Sequence, residues 1–182
     1  MYDIVTNSHI ALPDSPFAGS CHGMIQNGYF YAIVNDYSRI LYRISLSRPT
    51  QWESLIELEG TKIYKMLTDG NHLYFIDLYI DIKVFDPDTM RVTTLQEQPF
   101  WPVRDLSNMS TLLIDKKIYI LQPCNNREFD SVVDPANNML IFDIATQSWS
   151  QVFYRFSSPY DVLELAFDRW IIATVDIRSV GK

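Results

Sequence analysis

The sequence predicts an all-β chain built from successive four-stranded antiparallel units. Three observations carry that prediction. Short runs rich in β-branched and aromatic residues recur along all 182 residues, divided by tight polar turns. One phrase, an apolar run, a turn and a second apolar run, is written three times: ILYRISLSRPTQWESL (Ile40 to Leu55), DIKVFDPDTMRVTTL (Asp81 to Leu95) and NMLIFDIATQSWSQV (Asn138 to Val152). A turn-then-strand segment also recurs at intervals of roughly 40–50 residues, the period of propeller repeats. Its copies are NGYFYAIV, GNHLYFID, DKKIYILQ and DRWIIATV, in which Phe30, Leu73, Ile118 and Trp170 hold equivalent places.

Taken in order, each copy is preceded by another apolar run. His22 to Gln26 leads into Asn27-Gly28, Lys62 to Thr68 into Asp69-Gly70, Ser110 to Ile114 into Asp115-Lys116, and Val162 to Phe167 into Asp168. Each unit therefore opens with a hairpin, strands A and B, and the repeated phrase supplies strands C and D. Four antiparallel strands per repeat describe a β-propeller blade. The blades are assigned to residues 21–60, 61–107 and 108–158, with a partial fourth at 159–182. Residues 1–20 hold an orphan strand, MYDIV, and the extended linker ALPDSPFAGS. Rings typically close with about four to eight blades. Three explanations follow: a piece of a longer propeller, closure with MYDIV completing the last blade, or self-association of two chains.

Composition excludes several function classes. A net charge of −7 disfavours a phosphate-tracking groove, so no nucleic-acid partner is expected. The same charge disfavours anionic membranes, and no apolar run approaches the roughly 18 residues of a span. The first residues, MYDIVTNSHIALPDSP, lack the basic and apolar regions of a signal peptide. With Cys21 and Cys124 far apart, two reduced thiols and a cytoplasmic location are expected, although a disulfide between them stays open. The histidines His9, His22 and His72 are scattered without metal-ligand spacing, and no phosphate-binding or nucleophile motif is present; no metal or other cofactor is expected. The acidic stretch from Arg127 to Asp134 fits no fixed carboxylate or calcium template.

Strand parity points to a working face. The A–B and C–D turns, all short, lie at one end of the blades. At the other end lie the B–C and D–A connections, including Ala11 to Ser20, Gln96 to Asn108, Gln122 to Asn138 and Phe153 to Tyr160. Function concentrates on loops held by a rigid scaffold. These loops offer Tyr37, Arg39, Tyr79, Trp101, Arg104, Arg127, Tyr154 and Arg155, the residue types that dominate binding hot spots. Arg104, Arg127 and Arg155 would suit an acidic peptide. Phe85, Phe142, Trp149, Trp52 and Trp170 are expected instead in the core between sheets.

The chain resembles the kelch-repeat β-propellers, an architecture shared with galactose oxidase. Phe142 and Trp149 match the aromatic-to-Trp spacing of that family, and Phe85-Asp86-Pro87-Asp88-Thr89 is similar to its turn between strands C and D. LPDSPFAGSCHGMIQNGYFYAI is similar to the linker and hairpin that open a kelch blade. The departures are specific. Asn35-Asp36, Asp77-Leu78 and Gln122-Pro123 stand where paired glycines are usual, Val92 replaces a Trp, and Ile44 to Trp52 is one residue longer. The copper-radical ligands of galactose oxidase find no match here. The resemblance implies a recognition module, so the expected function is non-enzymatic protein binding through the long-loop face. The competing expectation is a carbohydrate-binding or carbohydrate-active propeller using Trp101 and Tyr154 as platforms.

Overall fold

The structure, a computed structural model, describes residues 2–3, 7–9, 13–19, 21–34, 39–59, 62–77, 79–95, 110–122 and 137–154. All regular structure among them is β-strand. A small hairpin of β1 (Tyr2–Asp3) and β2 (Ser8–His9) comes first. Three four-stranded antiparallel sheets follow. The first contains β3 (Cys21–Gln26), β4 (Tyr29–Val34), β5 (Ile40–Ser45) and β6 (Glu53–Glu57). The second contains β7 (Ile63–Thr68), β8 (Leu73–Asp77), β9 (Ile82–Asp86) and β10 (Arg91–Thr94). The third contains β11 (Ser110–Ile114), β12 (Lys117–Gln122), β13 (Asn137–Asp143) and β14 (Ser148–Tyr154).

In every sheet, spatial order equals chain order. The first strands adjoin one another, β3 against β7 and β7 against β11, so successive sheets share an inner edge. Up-and-down sheets stacked face to face around a common inner edge are the blades of a β-propeller. The predicted partial fourth blade, with Trp170, lies outside the described residues.

Alternation along the strands explains the stacking. On β8, Leu73 and Phe75 pack into the cluster shared with the first sheet, while Tyr74 and Ile76 pack into that shared with the third. The middle sheet is covered on both faces, which is why all five β8 residues are buried. Each fully buried large apolar side chain contributes roughly 1.5–3 kcal/mol. Equivalent rows face the preceding sheet: Leu73 opposite Phe85 on the second sheet, Ile118 opposite Phe142 on the third.

Turn chemistry fixes the register. Asn27 and Gly28 both have positive φ, as a two-residue hairpin turn requires, and Asp115 and Lys116 adopt the same conformation without a glycine. In the C–D turns, the Asp86 carboxylate accepts the amides of Asp88 and Thr89, and Asp143 accepts those of Ala145 and Thr146. The first sheet departs from this pattern. Its longer turn is followed by a bulge in which Leu41 opposes Ile56 and Tyr42 opposes Ser54, skipping Leu55. Both Leu55 and Ile56 then pack on the core.

The inner aromatics of the second and third blades take the expected places. Phe85 and Phe142 are fully buried between sheets, and Trp149 packs half-buried beside Phe142. Trp52 instead lies half-buried on the far face of the first sheet, against Phe30 and against Phe17 of the linker. No second sheet covers that face among the described residues.

Candidate functional site

The end of the blades carrying the B–C and D–A connections is built around two short loops and the starts of two inner strands. Arg39 precedes β5 with φ +44, and its carbonyl accepts the Leu58 amide at 3.1 Å, tying the B–C loop of the first blade to its last strand. The neighbouring B–C loop is held by Asp77, only 2% exposed. Asp77 Oδ1 accepts the amides of Tyr79 at 2.9 Å and Asp81 at 3.0 Å, and its carbonyl accepts that of Ile80 at 3.1 Å. This network holds Ile80 at φ +67 with its side chain fully buried, an unusual conformation for a β-branched residue. Tyr79, beside it, projects into solvent at 55% exposure. Lys83 Nζ donates to the Glu59 carbonyl at 2.6 Å and stands 3.8 Å from Asp77 Oδ2, joining this loop to the connection between the first two blades.

Between these loops, His22 on β3 faces the start of β7. Burial and then the nearby charge of Lys65 push its imidazole below the usual histidine range, Lys62 adds to the effect, and a hydrogen bond to the Ile63 backbone opposes it. His22 Nε2 and Arg39 Nε are both buried without a hydrogen-bond partner among the described residues. A buried donor left unpaired costs about 1–3 kcal/mol. Lys62 and Lys65 thus bring positive charge beside an imidazole held in its neutral form, at an end that also carries Arg39, Lys83, Glu59, Asp77 and Asp81.

Of the sequence-predicted binding residues, Arg39 and Tyr79 stand on adjacent B–C loops at this end. Tyr154 is the final residue of β14, opposite Asn137, and not part of a loop. Tyr37, Trp101, Arg104, Arg127 and Arg155 lie outside the described residues, as does Cys124. Cys21 is an exposed free thiol. Sequence reasoning missed His22, Lys62 and Lys65. Their only signal was the pair of lysines flanking Ile63 and Tyr64, and His22 joins them only because β3 packs on β7.

At the opposite end, a groove of about 390 Å³ between the second and third blades is lined in part by His72, Tyr74, Asp86, Arg91 and Ile144. The lining carboxylate Asp86 is engaged in a turn, and so is Asp69, which holds the lining Tyr74 from outside the groove. Asp69 accepts the Tyr74 hydroxyl at 2.9 Å and the amides of Asn71 and His72, while Asp86 is capped by its own turn. Among the described residues, no group of three or more His, Cys, Asp or Glu is placed to hold a metal ion.

No protein-family model matches the chain. No curated protein is significantly similar to it. Among solved structures it is similar to the N-terminal domain of Nup159, at 12% identity and a TM-score of 0.43 over 76% of this chain and 30% of that one. It is similar to a chain in the complex of S. cerevisiae Dbp5 with Nup159, Gle1, IP6 and ADP, at 11% identity and a TM-score of 0.44, covering 79% and 33% respectively. For the tricorn protease the values are 14%, 0.38, 71% and 16%. The chain thus spans a third or less of these solved chains. These likenesses carry no argument about what it binds.

Proposed function

We propose that this chain is a non-enzymatic, kelch-like propeller segment that binds a protein partner at the end carrying the B–C and D–A connections, and that it grips an acidic segment of that partner. The kelch-like reading is supported by the spacing of Phe142 and Trp149 and by the matching Asp-x-x-Thr turns at Asp86 and Asp143. The binding reading is carried by one observation: two buried, unpartnered nitrogens, on His22 and Arg39, at the end where Lys62 and Lys65 stand beside His22. An incoming carboxylate would pair with the guanidinium in a charge-assisted bond, stronger than a neutral one. Tyr79, exposed on a rigid loop, supplies apolar area at little cost in side-chain entropy.

A labelled glutamate-rich peptide, followed by fluorescence anisotropy against the intact chain, tests this. Lys62→Glu and Lys65→Glu are expected to weaken binding about tenfold or more, and Arg39→Gln to weaken it with circular dichroism unchanged. Equal affinity in all three variants, or saturable binding that ignores salt, would overturn the proposal.

A further inference from the structure

We infer that the outer face of the first blade is a groove for peptides of the type Pro-x-x-Pro-aromatic, and that the chain's own segment Pro13-Asp14-Ser15-Pro16-Phe17 occupies it in cis. In the second and third blades, the rows Leu73–Phe85 and Ile118–Phe142 pack on the preceding sheet. The equivalent row of the first blade, Phe30 opposite Ile44, faces the same way. Among the described residues, it meets the segment and no sheet. Trp52 Nε1 donates to the Pro13 carbonyl at 3.4 Å. The Phe17 ring sits 5.5 Å from Tyr42 and 5.6 Å from Trp52, the latter edge-on. Phe30 forms the floor: it packs edge-on against Trp52 at 6.0 Å and lies across Gly23, where any Cβ would stand 2.5 Å from the ring.

This is the recognition chemistry of aromatic grooves for proline-rich chains: an indole N–H aimed at a backbone carbonyl, and flat rings that accept a chain which loses little entropy on docking. Docking is peripheral. Asp14, Ser15 and Pro16 are exposed, and only Pro13 and Phe17 are half-buried, so the segment is held by two anchors with a polar stretch between them. Ser15 Oγ donates to the Phe17 carbonyl at 2.7 Å, shaping the segment, and Gly19 at φ +96 lets the chain turn away towards β3. A tethered ligand at an effective concentration on the order of millimolar masks the groove from weaker competitors. A partner carrying a better Pro-x-x-Pro-aromatic segment displaces it. The surface lies at the C–D turn side of the first blade, away from the Arg39 end.

The test uses a labelled synthetic peptide, ALPDSPFAG, and the full chain. The Phe17→Ala chain is expected to bind the peptide saturably and at least about tenfold more tightly than the unaltered chain, because the competing anchor is gone. Adding Trp52→Phe, which keeps a ring but removes the N–H donor, is expected to weaken that binding, and a peptide with Ala for Phe is expected not to bind. If Phe17→Ala impairs folding, the unaltered chain titrated into the millimolar range provides the same comparison against its own Trp52→Phe variant. Absence of saturable binding, or binding indifferent to Trp52→Phe and to the peptide's Phe, would overturn the inference.

Discussion

Phe142 and Trp149 face each other across β13 and β14, with ring centroids 4.9 Å apart and planes inclined at 53°. Phe142 is fully buried against the second blade, and Trp149 covers the outer strand beside it. The pair ties the blade's own hairpin to its neighbour. Phe142→Ala is expected to cost about 3–5 kcal/mol in urea unfolding. Trp149→Ala is expected to cost less, because the indole is only half-buried. Equal and small losses would show that the row does not join the blades.

Asp77 organises the second B–C loop through two backbone amides and the Lys83 ammonium. Asp77→Ala leaves those donors buried without an acceptor, and a loss of about 2–3 kcal/mol is expected. Asp77→Asn keeps an acceptor oxygen and is expected to lose less. Urea titration of both variants checks the order.

Lys116 holds φ +59 in a two-residue turn, a conformation that costs a non-glycine residue roughly 1 kcal/mol. Lys116→Gly is therefore expected to raise stability slightly, by up to about 0.5 kcal/mol after glycine's own entropic penalty. A fall in melting temperature would contradict the turn assignment.

Acid should destabilise the chain in two stages. His22 lies below 6.5 in the folded protein through burial and the nearby lysines, so its contribution is present above that value and fades as pH falls through its folded pKa. Asp69, Asp86 and Asp143 lie below 3.8. For Asp69, burial acts upward but bonds from the His72 and Asn71 backbone outweigh it. Asp86 is lowered first by the Thr89 hydroxyl, and Asp143 first by the Thr146 amide. Their contributions are present above 3.8 and disappear only at lower pH. Thermal melts from pH 7 to 2 should show the early stage vanish in His22→Gln and the late stage shrink in Asp86→Asn.

The blade pattern was legible because it is written locally. Turn residues such as Asn27-Gly28 and Asp143, with alternating apolar positions around Phe85 and Phe142, specify hairpins without knowledge of what covers them. The end around Arg39 was only half legible. Arg39 and Tyr79 fall in loops that strand parity places together, but His22 and Lys65 meet through contact between β3 and β7, which no local pattern encodes. The surroundings of Trp52 likewise depend on long-range contact. Its row matches those of the other blades, and among the described residues the linker residue Phe17 packs against it.

Hydrogen exchange of the intact chain, with and without a bound glutamate-rich peptide, tests the location of the working surface most directly. Protection is expected at residues 21–24, 39–41 and 58–65, where β3, β5 and β7 begin. Protection confined to the opposite turns, at residues 27–28, 69–72, 86–91 and 143–148, would contradict the account.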